Sequence, residues 1–142
     1  MTVFRAVSTP ISLVATAAIR VAGVITVAFV AQCPLGGAQA EDSDANRQQF
    51  LTSCGVCHTT EPGAPNRLGP NLYGIFGRKA GTVNGFKYSE VLARSGLIWD
   101  EETLEHWIED STAAVPGTTM NYRQRDPEKR KMIISYLKTL KP

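Results

Sequence analysis

The sequence predicts an all-α domain of about 100 residues, and three observations carry that expectation. Apolar residues recur at helical spacing in four capped segments, and no segment sustains the alternation of a half-buried strand. Residues 59–88 form a 30-residue stretch with six glycines and three prolines, long for a structureless loop inside a compact domain. Four modest helices in so short a chain also make a thin core. A large flat group wrapped by the Gly/Pro-rich loops would supply the missing interior.

Taken in chain order, residues 1–40 stand apart. Arg5 and Arg20 are their only charges, an apolar run extends from Val21 to Ala31, and the segment ends Ala38-Gln39-Ala40. A basic flank, a short apolar run and small residues at −3 and −1 form the pattern of a secretory signal. Cleavage after Ala40 is expected, leaving a domain over 41–142. A retained anchor is the rival reading. Arg20 limits the continuous apolar run to 11 residues, where a spanning helix needs about 20, so no stable membrane insertion is expected. Losing Arg5 and Arg20 lowers Lys+Arg from 15 to 13, equal to the 13 Asp+Glu. A neutral chain gives no reason to expect a nucleic-acid partner. The two remaining cysteines, Cys54 and Cys57, cannot make a disulfide scaffold. The bacterial periplasm or an equivalent compartment is the expected location.

The first helix is expected from about Ser43 to Cys54, capped by Ser43 or Asp44, with Ala45, Phe50, Leu51 and Cys54 on one face. The second runs from Ser89 to Ser95, with Ser89 as cap and Gly96 as stop. The third starts at Asp100. As N-cap it places Trp99 and Leu104 at the hydrophobic-staple positions, with Glu101 and Glu102 where the helix dipole favours acids. The fourth starts at Asp126 with Pro127 at its first position. Its apolar stripe is Met132, Ile133, Tyr136, Leu137 and Leu140.

Cys54-Gly55-Val56-Cys57-His58 reads C-x-x-C-H, the attachment pattern of c-type haem. Two thiols three positions apart reach both vinyl groups of one porphyrin and form thioethers, and the adjacent His58 supplies an axial imidazole to the iron. A zinc site needs four ligands, and past residue 40 there is only one more histidine, His106, and no second cysteine pair. A thioredoxin-like pair wants a βαβ context. One covalent haem c, with its iron, is the expected cofactor. For the sixth iron position, Met132 falls on a core stripe and His106 lies among Glu102, Glu105, Glu109 and Asp110 on a solvated face. Met120 sits in a loop behind Pro116-Gly117, unusual for mere packing, and is the expected ligand in a Met/His pairing.

Gly69-Pro70-Asn71-Leu72, Phe76-Gly77-Arg78-Lys79, Gly85-Phe86-x-Tyr88, Trp99-x-Glu101-Glu102-Thr103-Leu104, Pro116-Gly117-Thr118-x-Met120 and a last helix ending Tyr136-Leu137-Lys138 follow the C-x-x-C-H in order. Together these resemble a class I cytochrome c of the small mitochondrial-like bacterial type, over essentially all of residues 43–141. The resemblance implies a haem-enclosing all-α fold whose first and last helices cross, with Phe50 and Tyr136 at matching contact positions. It implies that the Pro70 carbonyl accepts the second ring N–H of His58. It also implies that Arg78, Tyr88 and Trp99 serve the buried propionate and that Thr118 is a hydrogen-bonding position in the methionine loop.

The chain departs from mitochondrial relatives at several points. Trp107 stands where they carry a Tyr near the methionine sulfur, and Leu92 where they carry an Asn, so a less polar distal side is expected. Gln48, Ser53, Thr112 and Thr119 stand at matching lysine positions, with Arg67, Arg123 and Arg125 as remaining edge-side cations; weaker electrostatic steering follows. The leading function is a one-electron carrier, not an enzyme. It is expected to be a monomer serving a membrane cytochrome complex, a terminal oxidase, or a periplasmic dehydrogenase or reductase. An open-site haem enzyme or gas sensor would need distal acid–base groups, and a non-haem domain built on the C-x-x-C pair leaves the methionine loop unexplained.

Overall fold

Two helices from opposite ends of the domain frame the molecule. In the computed structural model, which describes residues 37–141, α1 (Gly37–Ser53) meets α5 (Pro127–Thr139), and Phe50 of one packs on Tyr136 of the other with ring centroids 4.9 Å apart. Between them lie α2 (Glu90–Arg94), α3 (Glu101–Glu109) and α4 (Ser111–Ala114). Among the described residues the extended backbone makes only an isolated Lys79–Ile98 bridge. The all-α expectation holds, with five helices among the described residues rather than four. The single turn of α4 is too short to show a period, so only its cap, Asp110, marked it.

Helix boundaries follow the caps closely in α3 and α5 and loosely in α1. Asp100 accepts the Thr103 N–H at 2.8 Å while its own N–H donates to Thr103 Oγ1 at 2.9 Å, a reciprocal capping box. Trp99 and Leu104 flank that cap and share the core. Asp126 Oδ1 accepts the Glu128 N–H at 3.0 Å, and Pro127 takes the first position of α5. α1 begins at Gly37, not at Ser43, because Ala, Gln and Glu sustain a helix and nothing before Ser43 stops it. Of the expected signal over 1–40, residues 1–36 lie outside the described residues. Ala45 and Leu51 are exposed rather than on the buried face, since the core is met by Phe50 of α1 and by Cys54 just beyond its end. Ser89 stands at the N-cap of α2, but its hydroxyl makes no cap bond. In α5, Ile133 and Leu137 are buried as expected, Met132 only half so, and Ile134 and Arg130 join them.

The Gly/Pro-rich stretch is internally tied rather than loose. Asn71 is its clasp: its Nδ2 donates to Glu61 O at 2.9 Å and to Ala64 O at 3.0 Å, and its Oδ1 accepts the Tyr73 N–H at 2.7 Å. The Ala80 N–H donates to Leu97 O at 2.8 Å and the Trp99 N–H to Arg78 O at 3.0 Å, joining this stretch to the approach of α3. Gly74 N–H donates to Leu140 O at 2.8 Å, fastening it to the end of α5. Gly81 has φ +76°, and a Cβ there would fall 2.6 Å from the Ala93 Cα, so that turn requires glycine.

Candidate functional site

The loops together with α1, α2, α3 and α5 line one cavity of about 450 Å³, within the usual range for a small-molecule site. Its wall is mostly apolar, with Leu72, Ile75, Leu92, Trp107, Ile133 and Leu137 among its residues. Each site residue expected from sequence lies on it: Cys54, Cys57, His58, Pro70, Arg78, Tyr88, Trp99, Thr118 and Met120. His106 is exposed on α3 and lines a separate surface depression with Glu109, Asp110 and Arg123.

The C-x-x-C-H segment continues α1 as a turn. Cys54 N–H donates to Phe50 O at 2.7 Å and His58 N–H to Cys54 O at 3.0 Å, so the helical path carries both thiols and the imidazole to the same wall. Both cysteines are free thiols. Burial, and then the neighbouring Cys57, push the Cys54 thiol up to about 12.

His58 Nδ1 lies 2.7 Å from Pro70 O. A carbonyl only accepts, so Nδ1 carries the hydrogen and Nε2 keeps its lone pair. Burial pushes the imidazole pKa down, the Pro70 bond opposing it in part, and so favours the neutral ring that ligates iron. Gly69 packs against that ring so tightly that a Cβ there would lie 2.3 Å from His58 Cε1.

Arg78 is half-buried and held by its own loop, donating through Nη1 to Tyr73 O at 2.9 Å and through Nη2 to Asn71 O at 3.0 Å. Burial lowers its pKa while Tyr88 raises it; burial raises that of Tyr88 while Arg78 opposes the rise. The pair offers a cation and a phenol at the cavity wall. Thr118 Oγ1 is buried there without a hydrogen-bond partner, the orphan expected where a polar group of a cofactor belongs. Trp99 and Trp107 pack with ring centroids 5.3 Å apart, and Leu92 is buried beside the same space. A largely apolar cavity with two thiols, a prepared imidazole, a thioether and few polar groups fits a haem.

Three residues that matter to this site were not singled out in the sequence. Ser111 bonds the Met120–Tyr122 backbone, Asp110 caps α4 and pairs with Arg123, and buried Arg130 donates to Gln124 O at 2.9 Å and Arg125 O at 3.0 Å. The Asp110-Ser111-Thr112 run is an N-cap signature; nothing local marked Arg130. Beside the motif, Arg67 Nη1 donates to Gly55 O at 2.9 Å, and Val56 and Leu68 are 75% and 79% exposed. Of the edge-side cations, Arg67 thus lies against the motif, whereas Arg123 is engaged with Asp110.

Fold and site together define an all-α domain whose cavity fits a haem beside the C-x-x-C-H segment. The Cytochrome c family model matches residues 43–141, and the chain belongs to the class I, mitochondrial-type cytochrome c family of haem-binding electron carriers. It is 40% identical over 111 residues to cytochrome c2 of Blastochloris viridis, covering 78% of this chain and 87% of that protein. It is 44% identical over 107 residues to cytochrome c2 of Rhodopila globiformis, covering 75% and 100%. Cytochrome c of Ginkgo biloba is 38% identical over 98 residues, covering 68% and 87%. As in that family generally, the role is electron transfer rather than catalysis of a substrate's conversion. Among the described residues, no helix is long and apolar enough to cross a membrane.

Proposed function

We propose that the chain is an exported, periplasmic one-electron carrier whose single covalent haem c is held by Cys54 and Cys57 and ligated by His58 and Met120. The observation that carries this reading is the convergence of those four side chains on one apolar cavity. The haem, once bound, supplies a ferrous/ferric couple, and the Met/His pairing places it at high potential. The protein supplies position and exclusion. Pro70 orients His58, and Gly69 keeps the ring from tilting. Arg78, Tyr88 and Trp99 line the cavity and would serve a haem propionate, and Thr118 would offer its unpaired hydroxyl. With both axial positions filled, no open site is left for substrate, which separates the carrier from a haem enzyme or sensor.

The domain is read as residues 41–142 after removal of 1–40, acting as a monomer. Redox partners would be a membrane cytochrome complex, a terminal oxidase, or a periplasmic dehydrogenase or reductase. Docking falls to the motif edge, where exposed Val56 and Leu68 flank Arg67. With few cations there, contact is chiefly apolar, and encounter rates should vary less with ionic strength than for a lysine-rich relative. The deciding experiment is export in a host that matures c-type haem, followed by mass and absorption spectra. The expected product begins at Glu41, carries one haem, gives a thioether-type pyridine adduct, and shows a weak far-red ferric band that Met120→Ala abolishes. A high-spin haem that binds carbon monoxide rapidly would overturn the ligation; absence of haem would overturn the whole reading.

A further inference from the structure

We propose that the Ser111 hydroxyl is a positioning group for the Met120 ligand, latching the 120–122 backbone to the start of α4. The proposal rests on the His58/Met120 reading above. Ser111 is 0% exposed. Its Oγ–H donates to Met120 O at 2.6 Å, its Oγ accepts the Tyr122 N–H at 3.0 Å, and its own N–H donates to Tyr122 O at 3.1 Å. Since Tyr122 O already receives the Ser111 amide, the one hydroxyl proton goes to Met120 O. A hydroxyl gives and accepts at once, and no apolar side chain can do both. The loop is thus held at the carbonyl of the ligand residue itself and, two residues on, in both directions.

The latch has its own support. The Asp110 side chain caps α4 by accepting the Thr112 and Ala113 N–H groups at 3.1 Å each, and it pairs with Arg123 beyond the loop. The Gln124 N–H donates to Ile108 O at 2.9 Å, closing the far end. Met120 cannot withdraw from the cavity unless the Ser111 bonds open. Replacing Ser111 by alanine leaves the part-buried Met120 O and Tyr122 N–H without their Ser111 partner, a penalty relieved when the loop swings outward. A ligand competing for the sixth position senses the fraction of molecules in which the loop is out.

The test is an imidazole titration of the ferric haem-loaded protein, read alongside the far-red band and chemical unfolding. Ser111→Ala should tighten apparent imidazole binding about tenfold or more and weaken the far-red band. Ser111→Cys, near in shape but a weak donor, should move both in the same direction by less and serves if the alanine variant does not fold. Thr60→Val is the structural control. It removes the Thr60 Oγ1–Tyr136 OH contact at 3.3 Å, away from the loop, and should lower unfolding stability without changing imidazole affinity. Imidazole affinity within about twofold of the parent in the Ser111 variants would overturn the proposal, as would an equal tightening in Thr60→Val. A parent protein without the far-red band, unchanged by Met120→Ala, would instead remove the ligation on which the proposal stands.

Discussion

Gly69 carries no chemistry, yet adding one methyl group to it should disturb His58, the proposed iron ligand, more than many larger changes elsewhere. A Cβ at residue 69 would lie 2.3 Å from His58 Cε1, 2.7 Å from Nδ1 and 2.8 Å from Nε2, whereas ordinary contact begins at 3.4 Å. The ring must retreat by about 1.1 Å, the difference between 2.3 and 3.4 Å, or the backbone must yield. Neither is free to move. The ring is bonded to Pro70 O at 2.7 Å, and the Gly69 N–H to Cys57 O at 2.8 Å. Overpacking of this kind costs about 1–3 kcal/mol, and loss of one of those hydrogen bonds about 1 kcal/mol more. The φ of Gly69 is not positive, so alanine introduces no backbone strain and the effect isolates the crowding of the imidazole. Gly69→Ala in the haem-loaded protein should therefore lower the unfolding free energy by that amount, with an altered ferric spectrum and reduction potential as the imidazole tilts. Unchanged spectrum and potential, with stability within about 0.5 kcal/mol of the parent, would refute the packing argument.

Thr118→Val keeps the shape and removes the buried, unpaired hydroxyl; if it bonds the cofactor, the variant should lose haem-loaded stability by about 0.5–1.5 kcal/mol and shift the potential, whereas gained stability would show the hydroxyl idle. Hydrogen bonding from Thr112, with further help from Ala113 and Arg123, holds the Asp110 carboxyl at about 2, below its ordinary 3.8. A depressed carboxylate contributes stability that is full above pH 3.8 and lost as pH falls toward 2; the far-red band should fade in that window, and less steeply in Asp110→Asn. Trp107→Tyr and Leu92→Asn, made together, should change the reduction potential and the rate of imidazole entry, because both side chains line the cavity; a double variant matching the parent in both would show that distal polarity is not what sets them.

Much of this arrangement was legible in the sequence because its signals are local. Asp100 and Asp126 announce their helices by side-chain chemistry that acts over three residues, and C-x-x-C-H confines two thiols and an imidazole to one turn. The run of residues 59–88 showed only that it could not be a featureless loop. That Asn71 clasps it depends on carbonyls at Glu61 and Ala64, which no periodicity reports. Leu51 and Ala45 were misplaced because an isolated helix does not reveal how narrow its contact with a partner will be. Ser111 and Arg130 escaped notice for a related reason: buried polar side chains that serve backbone groups across the fold look, in sequence, like ordinary surface residues.

The meeting of α1 and α5 also sets an order of events. The thiols and imidazole belong to the segment just after α1, whereas Ile133 and Leu137, which finish the cavity wall, lie in the last helix. A chain entering its compartment N-terminus first presents Cys54, Cys57 and His58 some seventy residues before the wall that will cover them. In the exported haem carrier proposed above, the thiols would be open during that interval to the machinery that attaches the prosthetic group, and arrival of α5 would close the opportunity. A chain truncated ahead of Pro127 would lose the Tyr136 partner of Phe50 and the Leu140 carbonyl that anchors Gly74, and so could be loaded but not sealed.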